Sequence, residues 1–272
     1  MPTVNAGRLS LFYQESGRGE AVILLSGLGA EHTSWGYQAL AMQRRFRCIR
    51  IDNRDVGRSD RAQGPYTTQD MAKDTAGLMD TLELEAAHLA GWSMGSAIAQ
   101  ELALLYPARV RSLCLVGTYH ESDPRAVDRF QATSQVRKVM GREAFLRVVY
   151  PWSFTYRAYM RPGFIEGLQR QALENPHAQE QDAYERQVAA TLAHDTRGRL
   201  QDITCPTLVI VGDEDILTPA ARFARPIADA IPNAQLHIIP EAGHGLLLEQ
   251  PDAVTNALLE FLTRTTVGVA QS

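Results

Sequence analysis

Short apolar runs alternate with longer helical patterns along most of this chain, and that alternation leaves few folds open to it. The runs fall at residues 9–13, 22–25, 46–51, 87–92, 112–116, 207–211 and 235–239. Helical patterns at 34–44, 68–83, 94–106, 218–230 and 250–263 separate them, several closed by Pro or Gly. This is the signature of an α/β fold: a mostly parallel sheet flanked by helices. The turn Gly17-Arg18-Gly19 predicts that the first strands form a hairpin. Between Thr118 and Gln201 the strand rhythm stops, and the sequence becomes helix-rich, arginine-rich and aromatic, with Phe130, Tyr150, Trp152 and Tyr156 among its rings. The predicted organisation is therefore a core domain from residues 1–118 and 202–272, carrying an inserted helical cap at 119–201. The tail 265–272 reads as loosely structured.

At 272 residues and 45% hydrophobic, the chain can bury the core of one large domain with an insertion. A net charge of -4 provides no general attraction to nucleic acid or anionic membrane and leaves small molecules as the expected partners. Residues 1–14 lack a basic start and a long apolar stretch, and no later run reaches bilayer length. A cytoplasmic protein, monomeric or homodimeric and without a membrane partner, is expected. Cys48, Cys114 and Cys205 are odd in number, widely spaced and set in or beside strand-like runs, so they read as core residues. Neither a CxxC pair nor a metal-type His/Cys cluster occurs, and no metal or cofactor is expected.

The chemistry begins at Gly91-Trp92-Ser93-Met94-Gly95, where an apolar run meets a helical pattern starting at Met94. A serine at such a strand-to-helix turn sits in a strained backbone conformation with its hydroxyl presented above the sheet. Ser93 is the candidate nucleophile. The Met94 amide would lie in the helix's first turn, where unsatisfied N–H groups favour developing negative charge. Read without that context, the pentapeptide is a glycine-rich turn with a solvated serine.

A serine hydroxyl needs a base within reach and a group that orients the base. After the run 207–211 comes Gly212-Asp213-Glu214-Asp215, which puts acids at the end of a strand; Asp215 is the candidate orienting carboxylate. Alternatively, Asp215 caps the helix after Thr218, leaving Glu121 or Asp123 as the orienting acid. After the last strand comes Gly243-His244-Gly245, a glycine-flanked loop that makes His244 the candidate base. His32 follows the segment Ser26-Gly27-Leu28-Gly29 and reads as a cap of the next helix. That segment is the candidate second half of an oxyanion hole, with Leu28 N–H joining Met94 N–H.

With these residues in the chain order Ser, Asp, His, the sequence resembles the α/β-hydrolase fold superfamily over nearly its whole length. The resemblance implies an eight-stranded-type sheet, and the cap falls where this superfamily carries its lid. The stretch Asp52-Asn53-Arg54-Asp55-Val56-Gly57-Arg58-Ser59 is similar to a structural loop usually written Asp-x-Arg-Gly-x-Gly-x-Ser, with Asp55 in place of the glycine, a departure expected to be tolerated. Two further departures are Ser26, where many members have His, and Ser96, where a glycine is common. The small Ser96 is expected to leave helix packing intact, and Ser26 narrows the subfamily toward enol-lactonase-like and some esterase members more than it threatens activity.

The resemblance implies hydrolysis of a small ester or lactone through an acyl-enzyme, with Trp35, Trp92, Trp152, Tyr156 and Leu217 as the expected pocket walls. Ser93 at the elbow sets the chain apart from epoxide hydrolases and haloalkane dehalogenases of this fold, which use aspartate there. Carbon-carbon bond hydrolysis and peracid formation share the same triad and stay open. So does a non-catalytic receptor that retains the triad. Cap arginines Arg125, Arg129, Arg157 and Arg161 are available for a substrate carboxylate or form a solvated face.

Overall fold

The computed structural model describes residues 3–6 and 9–269. Eight strands form one sheet: β1 (Thr3–Ala6), β2 (Leu9–Ser16), β3 (Glu20–Leu25), β4 (Phe46–Ile51), β5 (Ala87–Trp92), β6 (Val110–Val116), β7 (Thr207–Gly212) and β8 (Ala234–Ile239). Their order is β1-β2-β4-β3-β5-β6-β7-β8; the pairs β1/β2 and β2/β4 are antiparallel and the remaining pairs parallel.

The expected hairpin across Gly17-Arg18-Gly19 does not form, because β4 lies between β2 and β3. The glycines serve close approach instead. A Cβ on Gly17 would stand 2.3 Å from the Phe46 carbonyl oxygen at the start of β4. The short strand β1, which carries no apolar alternation, is the one the sequence pattern misses.

Strand residues alternate between two cores, as the two-residue side-chain period requires. Ile23, Leu25, Leu89, Val209 and Val211 face one side, where α2 (Thr68–Thr81), α3 (Met94–Leu105) and α8 (Ala224–Ala230) cover them. Val22, Leu24, Ala90, Cys114 and Ile210 face the other side, beneath α1 (Gly36–Met42) and α10 (Pro251–Val269). Trp35 belongs to this second core: it is fully buried and its indole donates to Leu25 O at 3.1 Å. All three cysteines are free.

Three helix boundaries differ from expectation. The 34–44 pattern splits into a 3-10 turn, His32–Trp35, and the shorter α1. The 218–230 pattern becomes helical only at Ala224, because turns anchored on the Pro219 carbonyl occupy its first part. At the C-terminal end, α10 continues through Thr265 to Val269, so a loose tail is not found there, and residues 270–272 lie outside the described residues.

Between β6 and β7 stand α4 (Pro124–Ser153), α5 (Tyr156–Met160), α6 (Phe164–Glu174) and α7 (Gln181–Leu192). A break at Gly141, with φ 82° and ψ -179°, divides α4 into two segments. This insertion is seated by polar contacts. Arg186 on α7 pairs with the buried Asp55 carboxylate through two bonds of 2.8 Å, and Gln187 meets Gly29 N and Arg54 O. Near the other end, Thr155 donates its N–H and hydroxyl to Glu249 on the short helix α9 (Leu246–Glu249). Among the described residues, no helix is long and apolar enough to cross a membrane.

Candidate active site

Ser93 lies between β5 and α3 with φ 55° and ψ -121°, a region that costs a non-glycine residue of order 1–3 kcal/mol. The turn is held by Ser93 N–H donating to Val116 O at 2.8 Å and by Ser96 N–H donating to Ser93 O at 2.8 Å. Ser96 also donates its hydroxyl to Ser93 O at 2.6 Å, so the departure from glycine adds a brace under the elbow. Gly95 is required by contact: a Cβ there would stand 2.1 Å from Leu25 O.

The three residues predicted to cooperate come together. His244 Nε2 is 2.9 Å from Ser93 Oγ, and His244 Nδ1 is 2.8 Å from Asp215 Oδ2. A carboxylate only accepts, so Asp215 places the proton on Nδ1 and leaves Nε2 free to accept from the serine. Asp215 also receives the amides of Leu217 and Thr218 at 2.8 Å each and the Thr218 hydroxyl at 2.7 Å. The capping and orienting readings of this residue therefore hold together. Burial pushes the Asp215 carboxyl upward, but the His244 charge, the His244 hydrogen bond and the Thr218 donors outweigh it, and its pKa lies below the ordinary value.

His244 is placed from several directions. Trp92 donates its indole N–H to His244 O at 2.9 Å, Gly243 N donates to Glu249 Oε1 at 3.0 Å, and Gly245 N donates to Ser153 O at 2.7 Å. Sequence reasoning missed Glu249. It stands beyond the histidine loop with no local motif, and it becomes legible only once the chain folds back.

Both rival acids are occupied elsewhere. Glu121 is paired with Arg197 and Arg222, and Asp123 accepts Ala126 N at 2.8 Å as the N-cap of α4. His32 does not cap a helix. Its amide and its Nδ1 both meet Asp52 Oδ1, at 2.7 and 2.8 Å, so Asp52 supplies the cap. Glu31, His32 and Asp52 bring ligand-type atoms within 4.8 Å of one another, but Asp52 is bonded to His32 and Glu31 to Asn175.

On the other side of Ser93, the amides of Leu28 and Met94 donate to no group among the described residues, and both residues line the cavity. A Cβ on Gly27 would lie 3.2 Å from Ser93 Cβ, so this loop abuts the nucleophile. Ser26, in place of histidine, turns the loop on itself: its hydroxyl donates to Glu31 O at 2.9 Å and meets Ser34 Oγ at 2.8 Å.

Ser93 and His244 open into a cavity of about 1030 Å³ between the sheet's C-terminal edge and the helical insertion. Trp92, Trp152 and Leu217 line it as expected. Trp35 and Tyr156 do not: the first is sealed in the core, and the second is 76% exposed, with α5 presenting it to solvent. The walls that sequence reasoning left unassigned include Tyr119, Tyr184, Phe223 and one face of α4. Ala126, Arg129, Phe130, Thr133 and Arg137 from that face all line the cavity, at helical spacing. The spacing was legible, but the side toward which the stripe turns was not.

The α/β hydrolase fold family matches residues 20–251. Among solved structures, the enol-lactonase from Burkholderia xenovorans LB400 is 28% identical with a TM-score of 0.88, covering 96% of this chain and 100% of that one. A thermophilic esterase from Thermogutta terrifontis, solved with malate bound, is 29% identical with a TM-score of 0.85 and covers 94% of each chain. A curated relative from Azorhizobium caulinodans, provisionally named carbamate hydrolase RutD, is 30% identical over 96% of this chain and 98% of its own length.

Proposed function

Because the chain belongs to the α/β hydrolase fold family and is thereby a hydrolytic enzyme, we propose that it cleaves a small carboxylic ester or lactone through an acyl-enzyme. The observation that carries this reading is the continuous relay Asp215–His244–Ser93, with links of 2.8 and 2.9 Å, opening into the cavity. Ser93 Oγ attacks the carbonyl carbon while its proton passes to His244 Nε2. Asp215, kept ionised, steadies the imidazolium that results. The Leu28 and Met94 amides hold the oxyanion of the tetrahedral intermediate. His244 then returns the proton to the departing alkoxide, and water, deprotonated by the same imidazole, releases the acid.

The insertion acts as a substrate-selecting cap over this relay, in a division of the chain at about residues 119–201. The enol-lactonase and esterase neighbours support an ester or lactone as substrate. The provisional carbamate hydrolase name of the curated relatives favours a second reading, because the same acyl transfer serves a carbamate. Initial rates on short p-nitrophenyl esters, simple lactones, an enol-lactone and an alkyl carbamate, with Ser93→Ala alongside, test the proposal. Turnover of an ester or lactone that disappears in Ser93→Ala is expected. Wild-type turnover in Ser93→Ala sinks the mechanism, and activity on the carbamate alone transfers the substrate assignment to the second reading.

A further inference from the structure

We infer that Arg129 is a receptor for a carboxylate on the substrate, so that the preferred ester or lactone is an anion; the substrate class rests on the hydrolase reading above. Arg129 lies on the stripe of α4 that lines the cavity, one turn after Ala126 and beside Phe130. Its guanidinium sits 4.9 Å from the Phe130 ring centroid. Among the described residues no carboxylate comes within 4.0 Å of it, and its side chain donates no hydrogen bond to the protein.

The other arginines of this wall are committed. Arg137 donates to Gln179 O and Gln181 Oε1, and Arg142 donates to Ala172 O. Arg129 is half-buried, and burial, with the neighbouring Arg125 charge, pushes its pKa down. The charges of Asp123 and Asp215 oppose that push without bonding to Arg129, which lines the same cavity as Ser93 and His244.

A half-buried cation with no hydrogen-bonded or ion-pair partner is costly, and a ligand anion lowers that cost. The guanidinium fork matches a carboxylate in two parallel bonds. The surroundings favour a monoanion. Phe130, Tyr119, Tyr184 and Phe223 line an aromatic wall; of the cavity acids, Glu121 is neutralised by Arg197 and Arg222, and Glu31 accepts from the Asn175 amide. Among these three arginines only the Arg129 fork is unbonded, and one carboxylate fills it, whereas the second charge of a dianionic phosphate would face the aromatic wall and the acids Glu31 and Glu174. The fitting substrate thus carries an apolar spacer between its scissile carbonyl and a terminal carboxylate, as does the half-ester of a dicarboxylic acid.

Monoethyl adipate and diethyl adipate differ in that charge and test the inference. The measurement is the ratio of kcat/KM for the half-ester to that for the diester, in wild type, Arg129→Gln and Arg129→Lys. Loss of a charged hydrogen-bond pair predicts that the ratio falls about 10- to 100-fold in Arg129→Gln, mostly through KM, with Arg129→Lys between. Calorimetric binding of monoethyl adipate to Ser93→Ala and to Ser93→Ala/Arg129→Gln supplies a readout that needs no turnover, with inorganic phosphate as the rival anion. Weaker binding in the double variant by a similar factor supports the inference. An unchanged ratio, equal binding by the two variants, or tighter binding of phosphate than of the half-ester overturns it. Should Ser93→Ala retain turnover, the hydrolase reading fails while the binding comparison still decides the role of Arg129.

Discussion

Asp215 shows how one side chain performs two tasks when its geometry allows. One oxygen gathers the amides of Leu217 and Thr218; the other receives His244 Nδ1 and the Thr218 hydroxyl. Asp215→Asn preserves shape and much of the turn, but it can present an N–H to the imidazole and so stabilise the wrong tautomer. The expected result is a fall in kcat of about 10⁴-fold with the melting temperature changed little, measured on whichever ester the wild type turns over. A fall of less than tenfold would show that Asp215 serves the turn alone. Most of this site was legible from residues 93, 215 and 244, because each stands where an apolar run ends and a glycine-containing turn begins. Leu28 and Met94 were legible as backbone donors for the same reason. The brace from Ser96 to the Ser93 carbonyl was not, since nothing local says where a small hydroxyl points.

At the scale of the elements, the link between α7 and the loop after β4 is what most distinguishes this chain. Asp55 occupies a glycine position with φ 68°, and its side chain is completely buried against Arg186. The sequence-based expectation of a harmless departure leaves out this partner, 131 residues away. Removing one member of a buried pair strands the other, at a cost of about 3–5 kcal/mol, whereas Asp55→Gly removes the buried charge and the left-handed strain together. Arg186→Ala is therefore expected to lower the melting temperature more than Asp55→Gly does. The reverse order in thermal unfolding would show that the ion pair contributes little to seating the insertion. The stripe on α4 carries the same lesson: helical spacing puts Arg129 and Phe130 near one face, but packing against α7 decides that this face looks inward.

Across the whole molecule, stability should depend on pH through buried histidines more than through surface charge. Burial, with a smaller push from Arg199, lowers the His194 pKa to about 3, and burial likewise leads the downward shifts of His88 and His120. An unfolded histidine titrates near 6.5, so between about pH 6.5 and 3 the unfolded chain binds a proton that native His194 refuses. Stability is complete above that window and falls as the solution is acidified through it, by up to about 1.4 kcal/mol per pH unit from this residue. Asp215, whose pKa is lowered, adds a loss only below its unfolded value of about 3.9. Urea unfolding at pH 7.5 and 5.0 should show this loss in wild type and a smaller one in His194→Asn; equal losses would remove His194 as the cause.

Local chemistry settled the strand-and-helix rhythm, the sheet's parallel character and the placement of Ser93, Asp215 and His244, because burial period and turn residues are properties of neighbours in the chain. Folding alone decided that β4 separates β2 from β3, that Trp35 is sealed in the core and Tyr156 turned to solvent, and that Glu249, Gln187 and Arg186 hold the insertion in place. Those outcomes depend on volume and hydrogen-bond matches between distant segments, such as Gly29 and Gln187, 158 positions apart. No short-range pattern records such a match, because each partner is an ordinary polar or aromatic residue until the other arrives.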